Sequence, residues 1–242
     1  MMQYLGGNSK SEIAFAVNQV SRYSNNPRRV HEIAVKRIGR YLLHTLYTDQ
    51  DGIERTRGTI FKLSPEERKQ PLQLDLWADA DFSGTWNAEE QHDPDTARSR
   101  TGYVICLKGL PIIWKSTLQV GIALSTAEAE MGALVAGTRA LVPLRTIFFE
   151  IATCFNIPAK RLSLISHAYE DNEACRYVAT ADPPRLTARN KHWNIKHHWL
   201  RSKLDDNIKI LPIDTKAQKA DLYTKALTQV LFEKFRKQLV GW

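Results

Sequence analysis

At Leu72 the spacing of apolar residues changes, and that change limits the folds open to the chain more than any other feature. Leu72, Leu74, Leu76 and Ala78 alternate with Gln73, Asp75, Trp77 and Asp79, which is the two-residue repeat of a β-strand. Upstream the repeat is helical. Ser9 and Glu12 have capping-box spacing, and Ile13, Val17, Val20 and Tyr23 follow at intervals of three and four. Asn25-Asn26-Pro27 stops that helix and begins a second. The second runs to about Leu46, with Val30, Ile33, Ala34, Ile38, Tyr41 and Leu42 on one side and Arg28, Arg29, Lys36, Arg37 and Arg40 on the other. This predicts an N-terminal helical hairpin, with one short strand, Gly58–Leu63, in the linker behind it.

Beyond Leu72 the polar stretch 85–98 reads as a loop. Tyr103–Leu107 and Ile112–Trp114 read as two strands joined through Lys108-Gly109-Leu110-Pro111. An alanine-rich helix from Ser125 to about Val142 leads to a further helix at about 143–154 and a strand at Leu162–Tyr169. Asp171-Asn172 opens the next helix. A basic helix at about 193–205, a strand at Ile208–Ile213 and a helical pattern at 216–227 complete the order. Strands reached partly by a hairpin and partly through helices make an α/β fold with a mixed five-stranded sheet flanked by helices. The expected division is 1–64, helical, and 70–242, α/β.

No apolar run approaches the roughly 18 residues of a membrane span. The first residues lack the basic patch and apolar core of a secretory signal. Cys106, Cys154 and Cys175 form no CxxC pair. They suit the reduced thiols of an intracellular protein, in a cytoplasmic particle or the nucleus. Charge is unevenly spread. Residues 1–64 carry 10 basic and 5 acidic side chains, residues 65–184 carry 11 and 16, and residues 185–242 carry 13 and 5. An acidic middle between basic ends suits a chain that holds cations at one place and a polyanion beside it.

Four acidic residues stand at element ends. Asp79 closes the first strand of the α/β part, and alternation puts Asp81 on the same face, so the two compete. Glu130 is better separated from its rival. Ser125 and Glu128 have capping-box spacing, which gives Glu128 a task at the helix start. Glu130 lies about 200° further around at 3.6 residues per turn, in a stripe with Leu134, Gly137 and Leu141. A carboxylate on a core-facing stripe is costly unless paired or bound to metal. Asp171 ends the fourth strand, where an N-cap is an equal reading. Asp221 lies past a Thr215–Gln218 capping box, so capping does not account for it, although a solvated helix face does. Four converging carboxylates would repel one another. Two divalent ions remove that problem, and can activate water and steady the leaving oxygen of a phosphodiester cleavage.

The stretches ADADFSG (78–84), SRTGYVICLKGLPIIWKS (99–116), ALSTAEAEMGALVAG (123–137), EDNEAC (170–175), RNKHWNIKHHWLR (189–201) and KADLYTKAL (219–227) resemble the ribonuclease H domain of copia-type retrotransposon reverse transcriptases. They stand in that family's order and cover about residues 70–240. The resemblance implies a ribonuclease H-like fold and cutting of the RNA strand of an RNA–DNA hybrid. It also implies two magnesium or manganese ions, held by Asp79, Glu130, Asp171 and Asp221 as the catalytic acids. Residues 12–45 resemble the helices that precede this domain in the polyprotein, so the polymerase part is an expected partner and a membrane is not. No YxDD polymerase motif occurs.

Some features depart from the family. The insert from Thr85 to Arg98 is longer than usual, and no histidine lies between Asp214 and Lys219, near the last aspartate. Lys191, His192, Lys196 and Arg201 suit contact with phosphates of the nucleic acid. His192, His197 and His198 lack the spacing of a helical zinc pair. Integrase-type recombinases share the fold but place their glutamate last, whereas here it comes second. The alternative function is a catalytically inactive relic that binds nucleic acid without cutting it.

Overall fold

The structure is a computed structural model, and it describes residues 1–60, 63–86, 88–89, 91–182, 194–204 and 207–242. The N-terminal segment forms α1 (Met2–Asn8), α2 (Ala14–Ser21) and α3 (Arg29–His44), followed by a two-stranded sheet of β1 (Leu46–Thr48) and β2 (Glu54–Thr56). A short helix α4 (Pro65–Lys69) precedes the main sheet. That sheet comprises β3 (Leu74–Asp81), β4 (Arg100–Leu107), β5 (Leu110–Leu118), β6 (Ser166–Glu170) and β7 (Ile208–Pro212), in the order β5-β4-β3-β6-β7. The first three strands pair antiparallel, while β6 runs parallel to both β3 and β7. The fold is thus the expected ribonuclease H-like mixed five-stranded sheet flanked by helices, behind N-terminal helices.

The β4–β5 hairpin turns on Lys108-Gly109. Both residues have positive φ, 50° and 83°, which suits the twist of a two-residue hairpin loop. Along β3 the alternation read from the sequence holds. Leu74, Leu76, Ala78 and Ala80 pack in a core with α5 (Thr126–Cys154), α6 (Glu173–Thr180) and α7 (Asn194–Leu204). Trp77 packs on the opposite face with Tyr223 of α8 (Asp221–Thr224) and with Phe235 and Leu239 of α9 (Gln229–Val240). The spacing of Phe232, Phe235 and Leu239 carries the signal for α9, which the sequence reading did not include.

The N-terminal helices are fastened to this sheet. Arg100, at the start of β4, is fully buried and donates to the side-chain oxygens of Asn18, Gln19 and Ser116. Trp114 Nε1 donates to the Gly6 carbonyl at 2.7 Å.

Several local expectations need correction. The linker strand lies at 46–48 and 54–56; residues 58–60 form no strand, and Phe61 and Lys62 lie outside the described residues. The expected break at Pro143 does not occur, and one helix runs from Thr126 to Cys154. Proline removes one helical hydrogen bond, but Ala129, Ala133, Leu134 and Leu141 anchor the helix on the sheet core. By length and composition alone α5 could cross a membrane, but its buried row places it as a core helix. Ser9 and Glu12 form no capping box, because α1 occupies Met2–Asn8 and Glu12 is buried in a 3-10 turn.

Candidate metal centre

The carboxylates converge where β3 ends. Asp79 sits on the face that α8 covers, one residue from Ala80, whose N–H donates to Glu130 Oε2 at 2.7 Å. Glu130 reaches this point from α5 on the other face. Asp171 follows the parallel neighbour β6 directly. Asp79, Glu130 and Asp171 each place an oxygen within 4.8 Å of the others. The sheet end therefore gathers acids from a strand, from the loop beside it and from a helix packed below.

Asp221 joins the group through a lysine. It is buried on α8, and Lys225 Nζ donates to Asp221 Oδ1 at 2.8 Å and to Asp79 Oδ1 at 3.1 Å. Thr224 Oγ1 donates to the second oxygen of Asp79. Asp171 is not the N-cap of α6. Asn172 is, accepting from Cys175 N at 2.8 Å, so capping does not account for Asp171. The Thr215–Gln218 box does not form either. Gln218 is buried, and its amide donates 2.9 Å to the Ala78 carbonyl, tying the segment before α8 to β3. Asp81, the rival of Asp79, is only partly buried and lies against the backbone of Gly84. Glu128 holds the start of α5: its carboxylate accepts from Leu124 N at 2.8 Å, and Ser125 Oγ accepts from Glu128 N.

Sequence reasoning missed Glu170. It is fully buried, and Oε2 has no hydrogen-bond partner. It shares the buried side of β6 with Ser166 and Ala168, and that alternation was the available signal. Lys225 was missed too, although it lies one helical turn from Asp221.

Without a cation this arrangement is electrostatically poor. Burial, then the charges of Glu170, Asp79 and Asp171, push the Glu130 carboxyl up to about 11. Burial, with Asp171 and Asp79 adding, lifts Glu170 to about 8 against the opposing bond from Asn172 N. Burial and the charge of Asp79 lift Asp221 to about 6. A compact set of hard oxygen donors that hold protons for want of a counter-charge fits a divalent cation such as magnesium or manganese.

A pH dependence follows. These carboxyls bind protons more tightly folded than unfolded, so stability falls as pH rises from about 4.5 to about 8. In EDTA, thermal unfolding should occur at a higher temperature near pH 5 than near pH 8, and magnesium should raise it most near pH 8. A metal-free stability that is flat or rising over this range would contradict the electrostatics.

The nucleic-acid residues fare differently from one another. Lys191 and His192 lie outside the described residues. Lys196 is exposed on α7 and lines a groove with Lys115, Arg139 and Gln119 beside the start of α5. Arg201 is engaged locally, donating to the Ala181 carbonyl with Asp182 at 3.6 Å. His197 is buried, and its Nε2 donates to the Val178 carbonyl at 2.9 Å, a packing role rather than a zinc one.

No protein-family model matches the chain. The retrovirus-related Pol polyprotein from transposon TNT 1-94 of Nicotiana tabacum is 32% identical over 237 residues, 96% of this chain. The chain belongs to the copia-type retrotransposon Pol polyproteins. It spans 15% of that Pol polyprotein's length. The Pol segment is also similar to secreted RxLR effector protein 161 of Plasmopara viticola, at 31% identity over 141 residues, 58% of this chain and 84% of that protein. Among solved structures, RNase H1 from Halobacterium salinarum NRC-1 aligns with 63% of the Pol segment and 94% of its own chain. That alignment has 14% sequence identity and a TM-score of 0.41.

Proposed function

We propose that this chain is the ribonuclease H of a copia-type Pol polyprotein and hydrolyses the RNA strand of RNA–DNA hybrids with two divalent ions. The observation that carries the reading is the meeting of Asp79, Glu130 and Asp171 within 4.8 Å at the end of the central strand. When bound, magnesium or manganese would activate a water, stabilise the leaving oxygen and neutralise the phosphate. Asp79, Glu130 and Asp171 would hold one ion, and Asp79 with Asp221 the other. The Ala80 N–H fixes the Glu130 carboxylate, and Thr224 and Gln218 fix the strand end that carries Asp79. The acids are thus positioned before substrate arrives, which spares the reaction a reorganisation step.

Lys115, Arg139 and Lys196 line a groove beside the start of α5, the helix that carries Glu130. They would hold the phosphates of one strand while the scissile bond of the other lies over the acids. Replacing all three with alanine should weaken hybrid binding and flatten its salt dependence, by about 0.9 in the log–log slope per lost phosphate contact. Binding in calcium, across a salt series, measures this. An unchanged slope would move the phosphate path elsewhere. The direct test of the function is a hybrid with each strand labelled in turn. Magnesium-dependent cutting of the RNA strand alone supports the reading, and binding without cutting selects the inactive relic.

A further inference from the structure

Asp79 and Asp221 are both buried acids, and a positive charge of the chain itself lies between them. The Lys225 ammonium touches Oδ1 of each, at 3.1 Å and 2.8 Å. The geometry follows from sequence spacing: Lys225 comes four residues after Asp221, so its stem folds back over the same helical turn toward the strand. Burial works against the ammonium charge, but Asp79 and Asp221 outweigh it and hold the lysine firmly protonated. The other carboxylates differ. Among the described residues no basic side chain is hydrogen-bonded to Glu130 or Asp171, and the buried Glu170 Oε2 behind them has no partner.

We propose that Lys225 is a tethered cation that occupies the Asp79–Asp221 position in the free protein and yields it to a second divalent ion. The inference rests on the metal-centre reading above and adds an order to it. The first ion enters among Asp79, Glu130 and Asp171, where Lys225 touches Asp79 alone of the three. The second must displace an ammonium that cannot diffuse away, so it binds more weakly. Substrate phosphate, which adds negative charge beside the same position, favours the exchange. The lysine thereby keeps the free protein from carrying both ions when no nucleic acid is bound.

The test compares the intact chain with Lys225→Met, which keeps the stem and removes the charge, and Lys225→Arg, which keeps the charge. Manganese is titrated into each without nucleic acid and followed by electron paramagnetic resonance, and thermal unfolding is recorded at each manganese concentration. The native chain should bind one ion well and the second at least about tenfold more weakly, with Lys225→Arg behaving likewise. Lys225→Met should bind the second at least about tenfold more tightly than the native chain. It should also unfold at a lower temperature without metal, yet gain more from manganese.

A purely structural lysine would lower the unfolding temperature equally at every manganese concentration, and that result overturns the proposal. Identical binding curves for the native chain and Lys225→Met also overturn it. The absence of any manganese binding overturns both this proposal and the metal centre. If the curves differ as expected while no variant cuts a hybrid, the tethered cation stands and the nuclease reading fails.

Discussion

Glu130→Gln should reduce hybrid cleavage by about 1,000-fold or more, equivalent to about 4 kcal/mol of transition-state stabilisation, while the chain stays folded. Glutamine can still accept the Ala80 N–H through its carbonyl oxygen, so the contact between α5 and the end of β3 survives. What disappears is the negative charge that faces Asp79 and Asp171. The same variant should be more stable than the native chain in EDTA at neutral pH. The native carboxyl, lifted to about 11, must take up a proton on folding at that pH, and the amide need not.

Glu128→Gln is the matched comparison. Glu128 lies on the exposed start of α5 and accepts from Leu124 N, so its loss should cost on the order of 1 kcal/mol or less of stability, with cleavage retained. Single-turnover cleavage and thermal unfolding of both variants decide the matter. Equal loss of cleavage in two equally folded variants would remove the distinction between the glutamates.

The second large effect is expected at Gly102, which pairs with Asp79 across β3 and β4. A Cβ there would stand 2.5 Å from Thr224 Cγ2, 2.9 Å from Tyr223 Cβ and 3.1 Å from the Ala220 carbonyl oxygen. Two of these atoms are backbone or next to it, in the buried turn that carries Asp221, Thr224 and Lys225. Gly102→Ala therefore cannot be absorbed by turning a distal side chain. The turn must move off the sheet, at about 1–3 kcal/mol of stability by the usual cost of overpacking. Asp221 and Lys225 move with it, so cleavage should fall more than the stability loss alone explains. A folded Gly102→Ala chain with native unfolding temperature and native cleavage would show that the turn has slack.

The sequence carried the parts of this site that are periodic. The β3 alternation placed Asp79 at a strand end, and the helical stripe through Leu134, Gly137 and Leu141 separated Glu130 from Glu128. It could not carry contacts between distant segments. Gln218 looked like half of a local cap, but its amide bonds to Ala78, 140 positions away in the chain. Gly102 looked like any strand glycine, because the turn that presses on it comes more than a hundred residues later. Asp79 and Asp81 were inseparable by alternation, and only the helix packed above one and the loop beside the other tell them apart. Pro143 misled for a different reason: a local rule for ending helices yields when a long helix is anchored on a sheet for several turns.

The buried guanidinium of Arg100 has one more implication. Its acceptors are neutral, two amides from α2 and a hydroxyl from β5. Burial and the nearby charge of Arg22 lower its pKa to about 10. A chain cut to begin near residue 70 would keep the cation but lose the Asn18 and Gln19 oxygens that solvate it, and would lose the Gly6 carbonyl that takes the Trp114 N–H. In the sequence, the line between helical and α/β segments is the change of apolar repeat near Leu72. In mechanical terms it runs through a shared joint, and an α/β segment excised along it would carry an open wound on the strand that faces Asp79.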